Sequence, residues 1–220
     1  MSWYDLVDKV RTLTVDDVLD VMESEATEDM YKIVGVHPDE NIFDPLMSSL
    51  KRRLPWLLIN LGTAIFASLT VNLFTETLKV AVILAVFMPI MAGMGGNAGT
   101  QTLTVVVRSL ALNQLKPGSY RKAIRKELFL GVLNGLINGL VMAVISYIWT
   151  GKVMIGVAIL LAMLINLSVA GLVGVSIPLV LKAVKIDPAV ASSIFITTFT
   201  DVVGFLSFLG IATLLIKWIV

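Results

Sequence analysis

The chain has 220 residues, no cysteine and a formal net charge of +1; 57% of the residues are hydrophobic, 15% are charged, and the mean hydropathy is +0.89. A soluble domain is nearer ~45–50% apolar and ~25% charged, so this composition excludes a water-soluble globule and defines an all-α integral membrane protein. The lack of cysteine excludes disulfides and thiolate metal sites, and no basic face lies free of the membrane, so no nucleic acid is expected as a partner.

The charges are segregated along the chain. Twelve of the 16 acids lie at or before Asp44, opposed there only by Lys9, Arg11 and Lys32. Residues 1–50 read as a water-exposed acidic segment, without the apolar stretch and basic flank of a signal peptide. Within it, TVDDVLDVMESEATEDMYKIV sets Val15, Val18, Leu19 and Met22 at helical spacing. Thr14 is a candidate cap for that helix, with Asp17 three residues on. The cluster Glu23, Glu25, Glu28 and Asp29 is most simply a solvated face, with weak divalent-ion binding as the alternative. HPDENIFDP is a break, and a short helix is expected before Lys51, Arg52 and Arg53. His37 stands alone in this break and supports no catalytic role.

Five apolar runs follow over residues 51–220, at about 54–74, 80–107, 128–149, 153–181 and 189–216. A helix needs ~20 residues to cross ~30 Å of hydrocarbon, so each can span. Pro89 and the glycines behind it are expected to interrupt the second run. Five is odd, so an inverted repeat of two simple halves does not fit. Lys51, Arg52 and Arg53 precede the first run; Arg108, Lys116, Arg121, Lys122, Arg125 and Lys126 lie between the second and third; Lys182 and Lys185 lie between the fourth and fifth. All three sets fall on one side, which predicts a cytoplasmic N-terminus and an outside C-terminus. Trp56, Trp149 and Trp218 sit at run ends, as interfacial anchors do.

Two stretches carry chemistry. PIMAGMGGNAGTQTLTVVV (residues 89–107) is uncharged but holds four glycines beside Asn97, Thr100, Gln101, Thr102 and Thr104. Amides and hydroxyls at membrane depth cost free energy unless paired or wetted. Asn97, Thr100, Gln101 and Thr104 share a helical face, while the glycines permit either close helix packing or local unwinding. The second stretch contains Asp201, the one ionisable group between Asp187 and Lys217. A lone intramembrane carboxylate costs ~2.5–3.5 kcal/mol on insertion scales and marks an ion or proton path by default; the alternative is a structural aspartate bonded to nearby hydroxyls or kept neutral. Ser193, Thr197, Asp201 and Gly204 share its face. That face offers only oxygens, which suit hard cations such as Mg²⁺ or Ca²⁺ and not zinc or copper. Asn134, Asn138 and Asn166 read as interhelical hydrogen-bond partners. Asp187, before Pro188, either caps the fifth helix or lies at a cytoplasmic pore mouth. No enzyme motif is present: the chain lacks a nucleophile elbow, HExxH, a P-loop and a dinucleotide fingerprint.

PIMAGMGGNAGTQ followed by Arg108, together with DPAVASSIFITTFTDVVGF at 187–205, resembles the transmembrane domain of MgtE-type magnesium channels. TVDDVLDVMESEATEDMYKIVGV resembles the end of that family's second CBS domain and the lead into its connecting helix. The resemblance implies a homodimer with five transmembrane helices per subunit in the cell membrane. The second and fifth helices would line a pore at the dimer interface. Asp201 would hold a largely hydrated Mg²⁺ there, with Asn97, Thr100, Thr104, Ser193 and Thr197 along the path. The family's usual cytoplasmic N and CBS domains are absent from this chain beyond a remnant, so Glu23, Glu25, Glu28 and Asp29 would be half of a regulatory metal site. The expected function is a Mg²⁺-selective channel; a Na⁺- or H⁺-coupled Mg²⁺ exchanger and a non-conducting membrane sensor are the alternatives.

Overall fold

The computed structural model describes residues 14–15, 27–189 and 192–220. Within them the chain forms α1 (residues 27–33), α2 (Leu46–Asn72), α3 (Thr75–Val80), a 3-10 segment (Val82–Phe87), α4 (Met88–Ala111), α5 (Tyr120–Thr150), α6 (Val153–Ala183), α7 (Ser192–Leu214) and α8 (Ile216–Ile219). No strand occurs among the described residues. Five helices are long and apolar enough to cross a membrane: α2, the 3-10 segment with α4, α5, α6 and α7. The capping helix expected from Thr14 and the acids Glu23 and Glu25 fall mostly or wholly outside the described residues.

Two local expectations change. Lys51, Arg52 and Arg53 do not follow a separate short helix; they lie in the second turn of α2, which runs unbroken through Pro55. Pro89 does not interrupt the second span either. It sits in the first turn of α4, where no backbone donor is needed. The break comes earlier, at Ala81 (φ −131°, ψ 67°), and Val82–Phe87 winds as a tighter 3-10 turn. From Met88 on, α4 is continuous through Gly93, Gly95, Gly96 and Gly99. The helix does not unwind at them, and at Gly95 and Gly99 the missing side chains permit close packing.

α6 is the centre of the fold. Half of its most apolar window is buried, and α5, α7 and α4 all pack on it. An all-round apolar helix is expected in such a position. α5 and α6 form the most extensive pair. Their turn is short because Gly151 adopts φ 68° and donates its N–H to the Tyr147 carbonyl at 2.8 Å, a left-handed cap that glycine reaches without strain. A Cβ on Gly131 would lie 2.4 Å from the Leu167 carbonyl oxygen, and one on Gly135 would lie 2.7 Å from Leu164 Cα. A Cβ on Gly171 would lie 2.4 Å from the Glu127 carbonyl oxygen. Backbone meets backbone along the seam, as small residues allow inside membranes.

At one end, the 3-10 segment drives Leu84 and Phe87 into a core with Met91, Ile159, Met163, Phe208 and Leu209. Phe87 stacks on Trp149 with ring centroids 5.9 Å apart. α2 packs chiefly on α7 and exposes Leu57, Leu58, Leu61, Ile65, Phe66 and Leu69. A helix with that surface is stable only against lipid or another apolar surface.

Overpacking a core costs ~1–3 kcal/mol where neighbours can yield, and backbone yields least. Gly131→Val should therefore abolish the monodisperse folded protein in detergent size-exclusion profiles. Gly62→Ala, with nothing within 4 Å of its added carbon, should leave the profile unchanged.

Candidate functional site

α4 carries two faces. Gly95, Gly99, Thr102, Leu103, Val106 and Val107 are buried. Gly93, Asn97, Gln101 and Thr104 are exposed, with Thr100 half-buried beside them. The buried face explains the glycines: a Cβ on Gly95 would lie 2.5 Å from Asn166 Nδ2 and 2.9 Å from Thr200 Cβ, and one on Gly99 would lie 2.3 Å from Ile196 Cγ2. α4 thus sits directly on α6 and α7. Asn166, fully buried on α6, donates to the Met91 carbonyl at 2.9 Å, the interhelical bond expected of it. Asn138 differs: its amide donates to Asn134 O at 2.9 Å within its own helix.

The exposed polar face of α4 borders α7 at one edge. A Cβ on Gly96 would lie 3.4 Å from Thr197 Cγ2, so these two residues face each other there. By helical spacing, Asn97 and Thr100 on α4 and Asp201 on α7 lie just outside that contact. Asp201 is half-buried and makes no hydrogen bond or ion pair among the described residues. The α7 hydroxyls donate to their own helix: Thr197 to Ser193 O at 3.0 Å and Ile194 O at 3.1 Å, and Thr198 to Ile194 O at 2.6 Å. Thr104 does likewise on α4, to Thr100 O at 2.9 Å. A hydroxyl whose proton is committed presents only lone pairs outward. The hydroxyls of this edge thus present acceptors, the amides of Asn97 and Gln101 offer both acceptors and donors, and one carboxylate is unpaired among the described residues.

Ser193 and Thr197 line a hollow of about 410 Å³ between α7, α2 and residues 34–36, together with Trp56 and Asn60. Ser193 is committed there, donating to Ile33 O at 2.5 Å. Of the residues picked from the sequence, Thr197 meets α4 at Gly96; Asn97, Thr100 and Asp201 flank that contact by helical spacing, Thr104 lies further along α4, and Ser193 lies at the basic end, bonded to Ile33 O. Asn60 had no assigned role, although an exposed amide in the run LLINLG was a readable signal. Nothing in the sequence singles out Glu127, yet it is buried at 6% exposure.

At the basic end, α1 lies over the α4–α7 contact. Ile33 packs against Leu103, Val107, Ala189 and Ile196. Lys32 Nζ donates to Asp187 Oδ2 at 2.6 Å and also pairs with Glu28. Asp187 Oδ1 accepts from the Ala189 N–H at 2.9 Å, so Asp187 both caps the turn before α7 and anchors α1. Glu28, Asp29, Lys32, Lys182 and Asp187 border a depression of about 340 Å³. Among the described residues no group of three or more Asp, Glu, His or Cys gathers closely enough to hold a metal ion. Further on, Arg52 donates to Asp44 at 2.8 Å and Arg53 to Glu40 at 2.9 Å, fixing residues 37–44 against the start of α2.

Taken together, the spanning helices and their polar edge define an α-helical multi-pass membrane protein with an oxygen-lined polar face at membrane depth. Residues 88–211 match the family described as MgtE, divalent cation transporter, and the chain belongs to that family. It is 36% identical over 208 residues to the magnesium transporter MgtE of Enterococcus faecalis, covering 94% of this chain and 46% of that protein. The corresponding proteins of Bacillus subtilis (34% over 204 residues, 93% of this chain and 45% of that protein) and Thermus thermophilus (32% over 210 residues, 94% and 46%) are similar to it as well. The chain spans about half the length of these curated relatives.

Burial disfavours the Asp187 carboxylate, but the Lys32 hydrogen bond and the Ala189 N–H outweigh it and hold its pKa below the ordinary value. Hydrogen bonds to Asp187 and then Glu28 raise that of Lys32. The Asp187 contribution is present above its unfolded pKa of ~3.9 and is lost as pH falls through the lowered folded value; the Lys32 contribution is present below ~10.4 and is lost as pH rises through the raised one. Docking of α1 should therefore be flat between roughly pH 5 and 9. The hydrogen-exchange protection of residues 27–36, taken relative to the intrinsic amide rate at each pH, should not change in that window, and should fall in Lys32→Met. A steep change near neutral pH would contradict the assignment.

Proposed function

We propose that this chain forms the transmembrane part of a Mg²⁺-selective channel, with the basic ends of its helices in the cytoplasm and two copies enclosing the path. The observation that carries this reading is Asp201: a carboxylate at membrane depth with no protein partner, beside the exposed face of Asn97, Thr100, Thr104 and Thr197. Exposed amides cannot face hydrocarbon without cost, so that face suits water or a second subunit. The names of the relatives, magnesium transporters, agree with a divalent cargo.

The chemistry fits the ion. Mg²⁺ prefers octahedral oxygen coordination at ~2.0–2.1 Å and parts with water reluctantly. A face of hydroxyl and amide oxygens contacts such an ion through its water shell. One Asp201 from each of two subunits matches its charge. The acceptor-only hydroxyls of Thr197, Thr198 and Thr104 receive hydrogen bonds from the ion's waters, whose protons point outward. Inward flow gains ~4.6 kcal/mol per 100 mV for two charges, twice the ~2.3 for one. α1, pinned by Lys32 to Asp187 at the cytoplasmic end, lies where it can govern entry.

The test is Mg²⁺ flux into liposomes. A hydrogen bond to a charged group contributes ~1.5–3 kcal/mol, so Asp201→Ala, removing one from each subunit, should reduce flux by roughly tenfold or more while the purified protein keeps its size. Flux should follow membrane potential without a Na⁺ or proton gradient. Wild-type flux in Asp201→Ala would sink the assignment, and strict gradient dependence without unitary currents would replace the channel by an exchanger.

A further inference from the structure

Among the described residues, the five spanning helices contain two acids, Asp201 on α7 and Glu127 on α5. Glu127 is 6% exposed, so its position needs a reason. Its Oε2 accepts from the Thr102 hydroxyl of α4 at 3.1 Å, and its Oε1 accepts from Lys126 Nζ at 3.0 Å. The carboxylate is delivered from a rigid base. A Cβ on Gly171 would lie 2.4 Å from the Glu127 carbonyl oxygen, so the α5 main chain is locked onto α6 at this level. Thr102 is held from the other side as well: a Cβ on Gly174 would lie 2.8 Å from Thr102 Cβ and 2.8 Å from the Gly99 carbonyl oxygen. Thr102 is thus clamped between the α5 carboxylate and the α6 backbone. Its neighbour Gln101 borders, with Glu127 and Asn134, a side cavity of about 200 Å³.

We propose that Glu127 is a positioning residue for the ion pathway: by accepting the Thr102 hydrogen bond it fixes the rotation of α4 about its own axis, which sets where Asn97, Thr100 and Thr104 point. Successive helical residues are ~100° apart, so a turn of even a third of that displaces an amide from a water shell. Gly95 and Gly99 bring α4 close but offer no knob at this level of the helix, between the Asn166 bond to Met91 O and the packed Leu103 and Val107. A hydrogen bond is directional and supplies the stop. This inference rests on the reading of that face as a Mg²⁺ path, but its first test does not.

The chain has no cysteine, so single cysteines report the rotation directly. Thr104→Cys and Val105→Cys, adjacent exposed positions on different sides of α4, are labelled in liposomes with a membrane-impermeant thiol reagent. The ratio of their rates should favour Thr104→Cys, and should fall about threefold or more when Glu127→Ala or Thr102→Val is added. Glu127→Gln and Thr102→Ser, which keep an acceptor and a donor, should preserve the ratio. In Mg²⁺ flux, Glu127→Ala and Thr102→Val should each lower the preference for Mg²⁺ over Ca²⁺ about threefold to tenfold, and the double variant should be no worse than the worse single. Near-isosteric Thr102→Val keeps the packing should Glu127→Ala fail to fold. An unchanged labelling ratio, additive losses, or Glu127→Gln as harmful as Glu127→Ala would overturn the proposal; the last would make the charge itself the functional feature. Loss of selectivity on Asp201→Ala with no effect at Glu127 or Thr102 would leave the pathway standing and remove only this inference. Rotation-dependent labelling with Asp201→Ala flux unchanged would do the reverse.

Discussion

Everything in this protein depends on how closely helix backbones approach one another at α6. Hydrophobic burial does not drive helices together in lipid, because the surrounding tails are equally apolar. Contact between main chains must supply the difference, and only glycine lets main chains touch. Gly131, Gly135 and Gly139 of α5 and Gly171 of α6 bring that pair into register with carbonyl oxygens and Cα atoms in direct apposition. Gly95 and Gly99 of α4 and Gly174 of α6 do the same for the third helix. The hairpin of α5 and α6 is thereby a rigid block on which α4 and α7 are mounted.

Mounting decides which polar groups are satisfied and which are left open. Asn166, Thr102 and Thr200 point inward and are bonded at 2.9, 3.1 and 3.0 Å. Asn97, Gln101 and Thr104 point outward from the single chain, and Asp201 is left without a partner. Asn166 and Thr102 tie α4 to α6 and α5, Thr200 bonds its own helix, and the outward groups make up the polar face on which the proposed pathway rests. The same helix thus carries a buried structural face and an exposed polar face, and the proposed pathway requires that the buried face not slip. The buried carboxylate of Glu127, expensive in itself, is most readily understood in that light.

Much of this was legible in the chain. The five spans follow from hydropathy, and the basic residues group at alternate ends of them. Asp201 stands out because nothing else ionisable lies near it in sequence. The structure revised the reading of α4. Its glycines and polar residues formed one unusual stretch in the sequence, but Gly95, Gly99 and Thr102 are buried against other helices while Asn97, Gln101 and Thr104 are exposed. Pro89, taken as an interruption, starts the helix, because the turn before it is already 3-10 and the proline falls where a missing N–H costs nothing. Asn138, read as an interhelical partner, bonds its own helix. Ser193, which shares a face with Asp201, donates to Ile33 O in α1, a contact that the sequence did not reveal.

The sequence by itself determined the class of protein, the number of its spans, its family, and Asp201 as the one ionisable group of the fifth run, because these depend on composition, period and local order. Only the tertiary structure decided which side of each helix meets another helix, that α1 docks over the α4–α7 contact through Lys32 and Asp187, and that Glu127 reaches Thr102 across 25 positions of chain. Such pairings depend on rotation of one helix against another. Period fixes which residues share a face; it does not fix what that face touches.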